Sequence, residues 1–200
     1  MITYTTSKTD EDLSQILELQ KKNLPQNLTE AEIKSQGFVT VNHSFNDLKD
    51  LNEHEQHLII RDGAKLAGYI LAMTKKSRNA IPVLVPMFEI FDRIRYKNKA
   101  ISEYNYLVVG QVCIGKDYRG QGLFDKGYEA YRKRYRDKYD FAITEIAITN
   151  TRSINAHKRV GFVDVHHYRD VNGIDWVIVV WNWQHPEPRT DAWQLKQQPA

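Results

Sequence analysis

Residues 112–124 read VCIGKDYRGQGLF, and this stretch constrains the fold more than any other part of the chain. An apolar run leads into a polar turn, then the glycines Gly120 and Gly122, and then a helical pattern. Glycines let a ligand approach the backbone closely, and the start of a helix offers unpaired N–H groups to phosphate oxygens. The layout therefore predicts a pyrophosphate cradle, to which Arg119 adds a charged donor. An ordinary strand–turn–helix connection is the alternative.

Two motifs resemble those of the GNAT superfamily of N-acyltransferases. The acyl-CoA-binding motif of that family reads R/Q-x-x-G-x-G/A; Arg119 and Gly122 match it, whereas Phe124 replaces the final Gly or Ala. Residues 150–162, NTRSINAHKRVGF, resemble the Asn-led segment of the family that ends in Gly-Phe. The resemblance covers roughly residues 58–183 and implies an acyltransferase that uses acetyl-CoA.

Composition limits the class of protein. The chain has 200 residues and a formal net charge of +3, which predicts one domain over residues 1–185, a polar tail over 186–200 and no nucleic-acid partner. Apolar runs stay below the roughly 20 residues of a membrane span, and the first residues lack the pattern of a secretion signal. We therefore expect a cytoplasmic protein with no membrane partner.

The spacing of cysteine and histidine predicts no metal site. Cys113 is the single cysteine, so an internal disulfide and a cysteine metal cluster are excluded. The histidines show no H-x-x-x-H or H-E-x-x-H spacing.

Capping patterns and apolar periodicity locate the elements of the first half. Thr9, Thr29 and Ser44 each precede an acidic residue by three positions, which predicts three helix starts. Asp62-Gly63 predicts a hairpin between strands at 58–60 and 66–73. Residues 38–41 are a further predicted strand. Residues 75–105 contain an amphipathic pattern and are interpreted as an inserted helix over the sheet. Three roles remain open for this helix: it covers the core, it forms a wall for the acceptor substrate, or it makes a homodimer contact.

The second half alternates strands and helices. Strands are predicted at 106–114 and 141–149, helices at 122–138 and 151–160, and a final hairpin at 162–168 and 175–183 around Asn172-Gly173. This order predicts an α+β (α/β) protein with a mixed, mostly antiparallel sheet and helices on both faces. The resemblance implies that this is the GNAT fold.

The resemblance also implies which residues hold acetyl-CoA. In the family, two central strands separate to admit the pantetheine arm, whose amides pair with the strand before the cradle. Asn150 occupies the position of the Asn that contacts the CoA arm in the family, and an N-cap is its other role. The residues assigned to acetyl-CoA on this basis are Val112, Cys113, Ile114, Arg119, Gly120, Gln121, Gly122, Leu123, Phe124 and Asn150.

Two residues are predicted to carry the proton transfers. His157 takes the position where many family members have the Tyr that is thought to protonate the CoA thiolate, and an imidazole can also donate a proton; packing beside a strand is the alternative. Glu145 is the first candidate for the general base that deprotonates the acceptor, ahead of Glu103 and Tyr106, with a structural salt bridge as its other role.

These assignments predict direct transfer of an acetyl group from acetyl-CoA to a primary amine of unknown identity in a ternary complex. A covalent route through Cys113 is disfavoured, because no Cys-His-Asn arrangement is evident. An acyl-CoA-binding sensor or partner module without catalysis is the alternative function. A dinucleotide-binding protein is set aside, since position 125 is Asp where the third glycine would stand.

Overall fold

A computed structural model describes residues 1–79 and 81–184. Its helices are α1 (Asp10–Lys21), α2 (Glu30–Gln36), α3 (Phe45–His54), α4 (Val85–Arg93), α5 (Leu123–Tyr135) and α6 (Thr151–Val160). Its strands are β1 (Ile2–Thr6), β2 (Leu58–Asp62), β3 (Lys65–Met73), β4 (Arg95–Tyr96), β5 (Lys99–Ala100), β6 (Tyr106–Ile114), β7 (Phe141–Ala147), β8 (Val163–Arg169) and β9 (Asp175–Asn182). The predicted polar tail at 186–200 lies outside the described residues.

The three predicted helix starts are confirmed. At α1, the Thr9 hydroxyl accepts from the backbone N–H of Asp12, whose carboxylate accepts from the N–H of Thr9 in return. Thr29 and Ser44 form the same reciprocal caps at α2 and α3. Each cap satisfies N–H groups that a helix start leaves unpaired, so local sequence fixes where these helices begin.

Seven strands form one sheet in the order β1-β2-β3-β6-β7-β9-β8. All neighbours are antiparallel except β6 and β7, which run parallel at the centre. The predicted mixed, mostly antiparallel sheet is therefore confirmed. A separate two-stranded ribbon joins β4 to β5.

Helices cover both faces of the sheet, as predicted. One face, called the α5 face, carries α5 and α6; Tyr128, Tyr131 and Tyr135 of α5 are fully buried there against β3, β6, β7 and β9. The opposite face, called the α4 face, carries α1, α3 and α4. On it, Phe91 of α4 packs edge-on against Tyr106, which stacks on Phe141. The helix predicted within residues 75–105 thus covers part of the core.

The two central strands separate soon after they meet. Pairing of β6 with β7 covers Tyr106, Leu107 and Val108 and stops there. Immediately beyond, the register between β3 and β6 shifts, with one extra β6 residue between Val109 and Val112. Such a bulge bends a strand and increases its local twist. A wedge-shaped opening therefore lies between the outer parts of β6 and β7.

Several features differ from the sequence predictions, the ribbon of β4 and β5 among them. Residues 38–41 form no strand, because side chains rather than a neighbouring strand bind their carbonyls: Asn150 donates to Phe38 O at 3.1 Å and Gln111 to Val41 O at 2.8 Å. Strand β1 was not predicted, although its alternating burial fits a strand that pairs along the edge of β2. Among the described residues, no helix has the length and apolar character that crossing a membrane requires.

Candidate active site

A cavity of about 930 Å³ opens at the outer end of β6, where that strand no longer pairs with β7. It lies between the end of β6, the first turns of α5 and α6, and the irregular segment 37–39. A smaller space of about 70 Å³ continues between the strands and shares Val112, Asn150 and Ser153 with the larger one. The two spaces form a single cleft, whose volume lies within the range of about 300–1,000 Å³ typical of small-molecule sites.

The predicted cradle forms one wall of this cleft. Gly120 and Gly122 have φ angles of 76° and 75°, in the left-handed region that glycine adopts at little cost. Gly122 is the N-cap of α5 and makes no side-chain cap, so the first backbone N–H groups of this helix lack an intrahelical partner. A Cβ at either glycine would meet no atom within 4 Å. The turn therefore presents open backbone donors and a positive dipole end.

Arg119 and Gln121 are used mainly inside the protein. The Arg119 Nε donates to Ile114 O at 3.1 Å, and its Nη2 donates to the Asn23 side chain, which ties the turn to the end of β6. Arg119 still lines the cleft. Gln121 is exposed, does not line the cleft, and donates to Asp117 O at 2.8 Å.

Phe124 and Asn150 both lie at the cleft wall. The Phe124 ring turns toward α6, with its centroid 5.3 Å from the His157 ring and 5.0 Å from that of Tyr128. Asn150 caps α6 by accepting from Ser153 N at 3.3 Å, while its amide nitrogen holds Phe38 O. The predicted N-cap is therefore present, and the same side chain also fixes the segment across the cleft.

Val112, Cys113 and Ile114 line the cleft along the edge of β6 that β7 leaves unpaired. On their other edge they pair with β3, where Cys113 lies opposite Tyr69. Burial among apolar side chains raises the pKa of the Cys113 thiol to about 12. The thiol is therefore a poor nucleophile, since the thiolate is the reactive form.

Charge is unevenly distributed along the cleft. Four cationic side chains, Lys34, Arg119, Arg152 and Arg159, line the larger space against the single carboxylate of Asp125, which Arg159 binds at 2.7 and 2.9 Å. The smaller space contains the carboxylate of Glu145 and no cationic side chain among its lining residues. One part of the cleft thus favours an anion and the other a cation.

The His157 imidazole is buried at the base of the smaller space, and both of its nitrogens have partners. Because a carbonyl only accepts, Nδ1 carries the proton that binds Ser153 O at 2.8 Å. Nε2 then accepts from the Tyr128 hydroxyl at 2.7 Å. Burial lowers the pKa of His157 to about 4, so the ring is neutral near pH 7. This arrangement gives His157 no free proton and does not support the predicted acid role.

Of the three candidate bases, Glu145 is the one that the structure places in the cleft. Glu103 lies in an exposed turn, where it accepts from the N–H of Ala100. Tyr106 is buried under α4. Burial raises the pKa of Glu145 to about 7, partly opposed by a hydrogen bond from the Tyr168 hydroxyl. A carboxylate with this pKa is suited to accept a proton near neutral pH.

Sequence reasoning missed Thr144 and Tyr168. The Thr144 hydroxyl donates to Val109 O at 2.9 Å, which satisfies the first carbonyl that β6 leaves unpaired when it separates from β7. Tyr168 reaches Glu145 from β8, two strands away in the sheet. Neither contact has a local signal, because both depend on register between distant segments. No group of three potential metal ligands comes together among the described residues.

Comparison with known proteins identifies the class. The "Acetyltransferase (GNAT) family" matches residues 14–162, which is most of the chain. No curated protein sequence matches this chain. Two solved structures are similar in fold: the ribosomal-protein-S18-alanine N-acetyltransferase from Escherichia coli (13% identity, TM-score 0.60, 94% of this chain and 97% of that one) and the NatC complex bound to Gag peptide and CoA (16%, 0.60, 90% and 98%).

A third similar structure is a chimera of the spermidine N-acetyltransferase SpeG from Vibrio cholerae and hSSAT, with 16% identity, a TM-score of 0.55, and coverage of 92% of this chain and 96% of that one. At these sequence identities, the similar structures establish the fold only, whereas the match to the family establishes the class of protein. The chain belongs to the GNAT acetyltransferase family. The enzymes of this family are N-acetyltransferases that use acetyl-CoA, and this chain is one of them.

The state of His157 can be tested by ¹⁵N NMR of histidine-labelled protein, with His157→Gln used to assign its signals. We expect a neutral ring protonated on Nδ1 from pH 8 to pH 6 and a pKa of about 4. In the unfolded chain the pKa of a histidine is about 6.5. The neutral, buried His157 therefore contributes its full stabilisation of the fold above pH 6.5, and this stabilisation is lost as the pH falls toward 4. An imidazolium, or a proton on Nε2, at pH 7 would restore the acid role.

Proposed function

We propose that this enzyme transfers an acetyl group from acetyl-CoA directly to a primary amine in a ternary complex. The observation that carries the proposal is the polarised cleft: a cationic mouth beside a glycine turn and a helix start, continuous with a space that holds one largely buried carboxylate. An anionic donor and a cationic acceptor fit the two parts. The separated strands place the two parts in contact.

The donor site would be built chiefly from backbone. We infer that the N–H groups from Gly120 to Phe124 bind the pyrophosphate, and that the free edge of Val112, Cys113 and Ile114 pairs with the pantetheine amides. Gln121 contributes through its backbone, since its side chain points to Asp117. Asn150 and Arg119 hold the cleft walls in place through their hydrogen bonds to Phe38 O and Ile114 O, and both side chains keep polar groups that can contact the ligand. Lys34 and Arg152 add positive charge at the mouth.

Glu145 is proposed as the general base. A primary amine is an ammonium ion near pH 7, and it must lose one proton before its nitrogen can attack. Glu145 accepts that proton, directly or through water; the C–N bond then forms as the C–S bond breaks, and the sulfur leaves as thiolate. The second nitrogen proton is released after attack and one proton returns to sulfur, so the products are the acetamide, the CoA thiol and one proton in solution.

His157 is proposed to act as a positioning residue instead of an acid. Its Nδ1–H holds Ser153 O in the first turn of α6, next to Asn150 and the cleft. The thiolate would then leave without a side-chain acid, which is chemically acceptable because a thiolate is a tolerable leaving group near neutral pH.

Three points remain predictions: the identity of the acceptor amine, a homodimer that forms through residues 75–105, and a cytoplasmic location. No described residue of 75–105 lines either space, so α4 would shape the acceptor site only indirectly. A single domain over residues 1–185 is inferred from the one sheet that joins β1 to β9. Spermidine and a peptide with an N-terminal alanine are reasonable first acceptors, because proteins named for these substrates share the fold.

Gly122→Trp tests the donor site. The added Cβ meets no protein atom, so the indole would enter the cleft and fill the cradle, at the cost of a left-handed backbone strain that the control shares. Gly63→Trp is the matched control, since Gly63 has a φ of 58°, equal open space, and no place in the cleft wall. By calorimetric titration we expect acetyl-CoA affinity to fall about tenfold or more, equivalent to about 1.4 kcal/mol, in Gly122→Trp only. Wild-type affinity in a folded Gly122→Trp protein would contradict the cradle.

Glu145→Gln tests the base, with Glu103→Gln as its control. For the wild type, kcat/KM should rise with pH and level off above about 7, because the base acts only when deprotonated. Glu145→Gln should lower kcat by roughly 10²–10⁴ and remove this rise, while Glu103→Gln should behave as the wild type. Thiol release with the two acceptors named above is the measurement. Acetyl-CoA binding without thiol release from either acceptor in the wild type would contradict the proposed transfer to these two amines.

A further inference from the structure

Tyr168 and Glu145 face each other across β9 on the α4 face of the sheet. Tyr168 lies opposite Trp176, and Glu145 lies opposite Ile178, in the two ladders that β9 makes with β8 and β7. Directly paired residues project to the same face, as do positions two apart along a strand. The phenol therefore reaches over β9, and its hydroxyl donates to Oε2 of Glu145.

We propose that Tyr168 is a positioning residue that orients the Glu145 carboxylate for proton abstraction from the acceptor amine. The inference rests on the proposed function of Glu145 as the base. Within the part of the chain that the structure describes, the Tyr168 hydroxyl is the one hydrogen-bond donor to this carboxylate. It occupies Oε2 and leaves Oε1 with its full capacity to accept a proton.

The choice of a phenol matters chemically. A Lys or Arg partner would favour the charged carboxylate strongly and weaken it as a base. The tyrosine is a neutral donor, and burial beside Glu145 raises its own pKa, so it stays protonated throughout the working pH range. Tyr168 can thus fix the orientation of the carboxylate and still leave it basic near neutral pH.

Few charged groups near Glu145 could replace the hydrogen bond from Tyr168. Asp170, in the turn between β8 and β9, is the charged group that acts on Glu145, and it raises the pKa of that carboxyl. Asp170 itself accepts from the Trp176 indole at 3.1 Å. From α6, the neutral His157 lines the same space; β6 and the segment 38–40 contribute the uncharged Gln111 and Thr40. His166 stacks on the Tyr168 ring at 6.4 Å between centroids.

The test is a ¹³C NMR titration of the glutamate side-chain carboxyls, in which Glu145→Gln assigns the Glu145 signal and no acceptor is needed. We expect a wild-type pKa of about 7. In Tyr168→Phe it should move upward by about one pH unit, because a hydrogen bond to the charged form is lost. Tyr139→Phe is the matched control: it removes a phenol that donates to the Glu55 carboxylate at 3.0 Å, away from the cleft. Equal pKa values in the wild type and Tyr168→Phe would overturn the proposal.

A second variant keeps the test independent of any folding defect in Tyr168→Phe. Incorporating 3-fluorotyrosine at position 168 makes the phenol a stronger donor, so the pKa of Glu145 should move downward. The acidic limb of kcat/KM for spermidine or the alanine peptide should follow both shifts. If both variants shift the titration but Glu145→Gln keeps wild-type kcat, the base assignment fails and Tyr168 positions a non-catalytic carboxylate. If Glu145→Gln is inactive and neither variant shifts the titration, the Tyr168 proposal alone fails.

Discussion

The candidate active site of this enzyme depends on the bulge in β6. Up to Val108, β6 pairs with β7 as a regular parallel ladder. Beyond Val108, β6 contains one extra residue relative to β3; it continues to pair with β3 but bends away from β7. Separation exposes backbone groups that a buried sheet must satisfy. Thr144 satisfies the carbonyl of Val109, and Arg119 that of Ile114, at the two ends of the opened edge. Between them, β7 pairs with none of the β6 backbone groups that face the cleft.

The same separation organises the charges of the site. Because β6 leads into the glycine turn and β7 leads into the N-cap of α6, two helix starts meet at one mouth of the cleft. Backbone dipoles and cationic side chains add there. At the other side of the strands, Glu145 projects toward the α4 face, where burial keeps it weakly acidic. A phosphate-bearing donor and an ammonium acceptor would therefore approach the same gap from regions of opposite charge.

Local signals in the sequence were sufficient for much of this fold. Strand β6 and helix α6 have the predicted bounds, since apolar runs and caps define their ends. The cradle glycines were predicted correctly as a turn that leads into α5, because positive φ angles at that position restrict the residue type. Residues 38–41 were predicted wrongly as a strand; their apolar content reflects burial at the cleft, and long-range contacts from Gln111 and Asn150 set their path.

The chemical details could not be predicted in the same way. His157 occupies the predicted helix, yet complete burial lowers its pKa, and its Nε2 accepts from Tyr128, 29 residues earlier in the chain. The basicity of Glu145 likewise arises from its burial, and the hydrogen bond from Tyr168, a contact across a neighbouring strand, partly opposes it. Motifs identify the backbone that binds a cosubstrate, whereas acid–base properties depend on which side chains the completed sheet brings together.

Amide hydrogen exchange along β6, measured with and without CoA, tests the central claim most directly. If the opened edge is the cosubstrate site, amides within residues 110–114 that face the gap should gain protection at saturating CoA. Amides of β2, which are paired on both sides, should not change and serve as the internal control. Unchanged exchange in residues 110–114, with CoA bound as judged by calorimetry, would contradict the account.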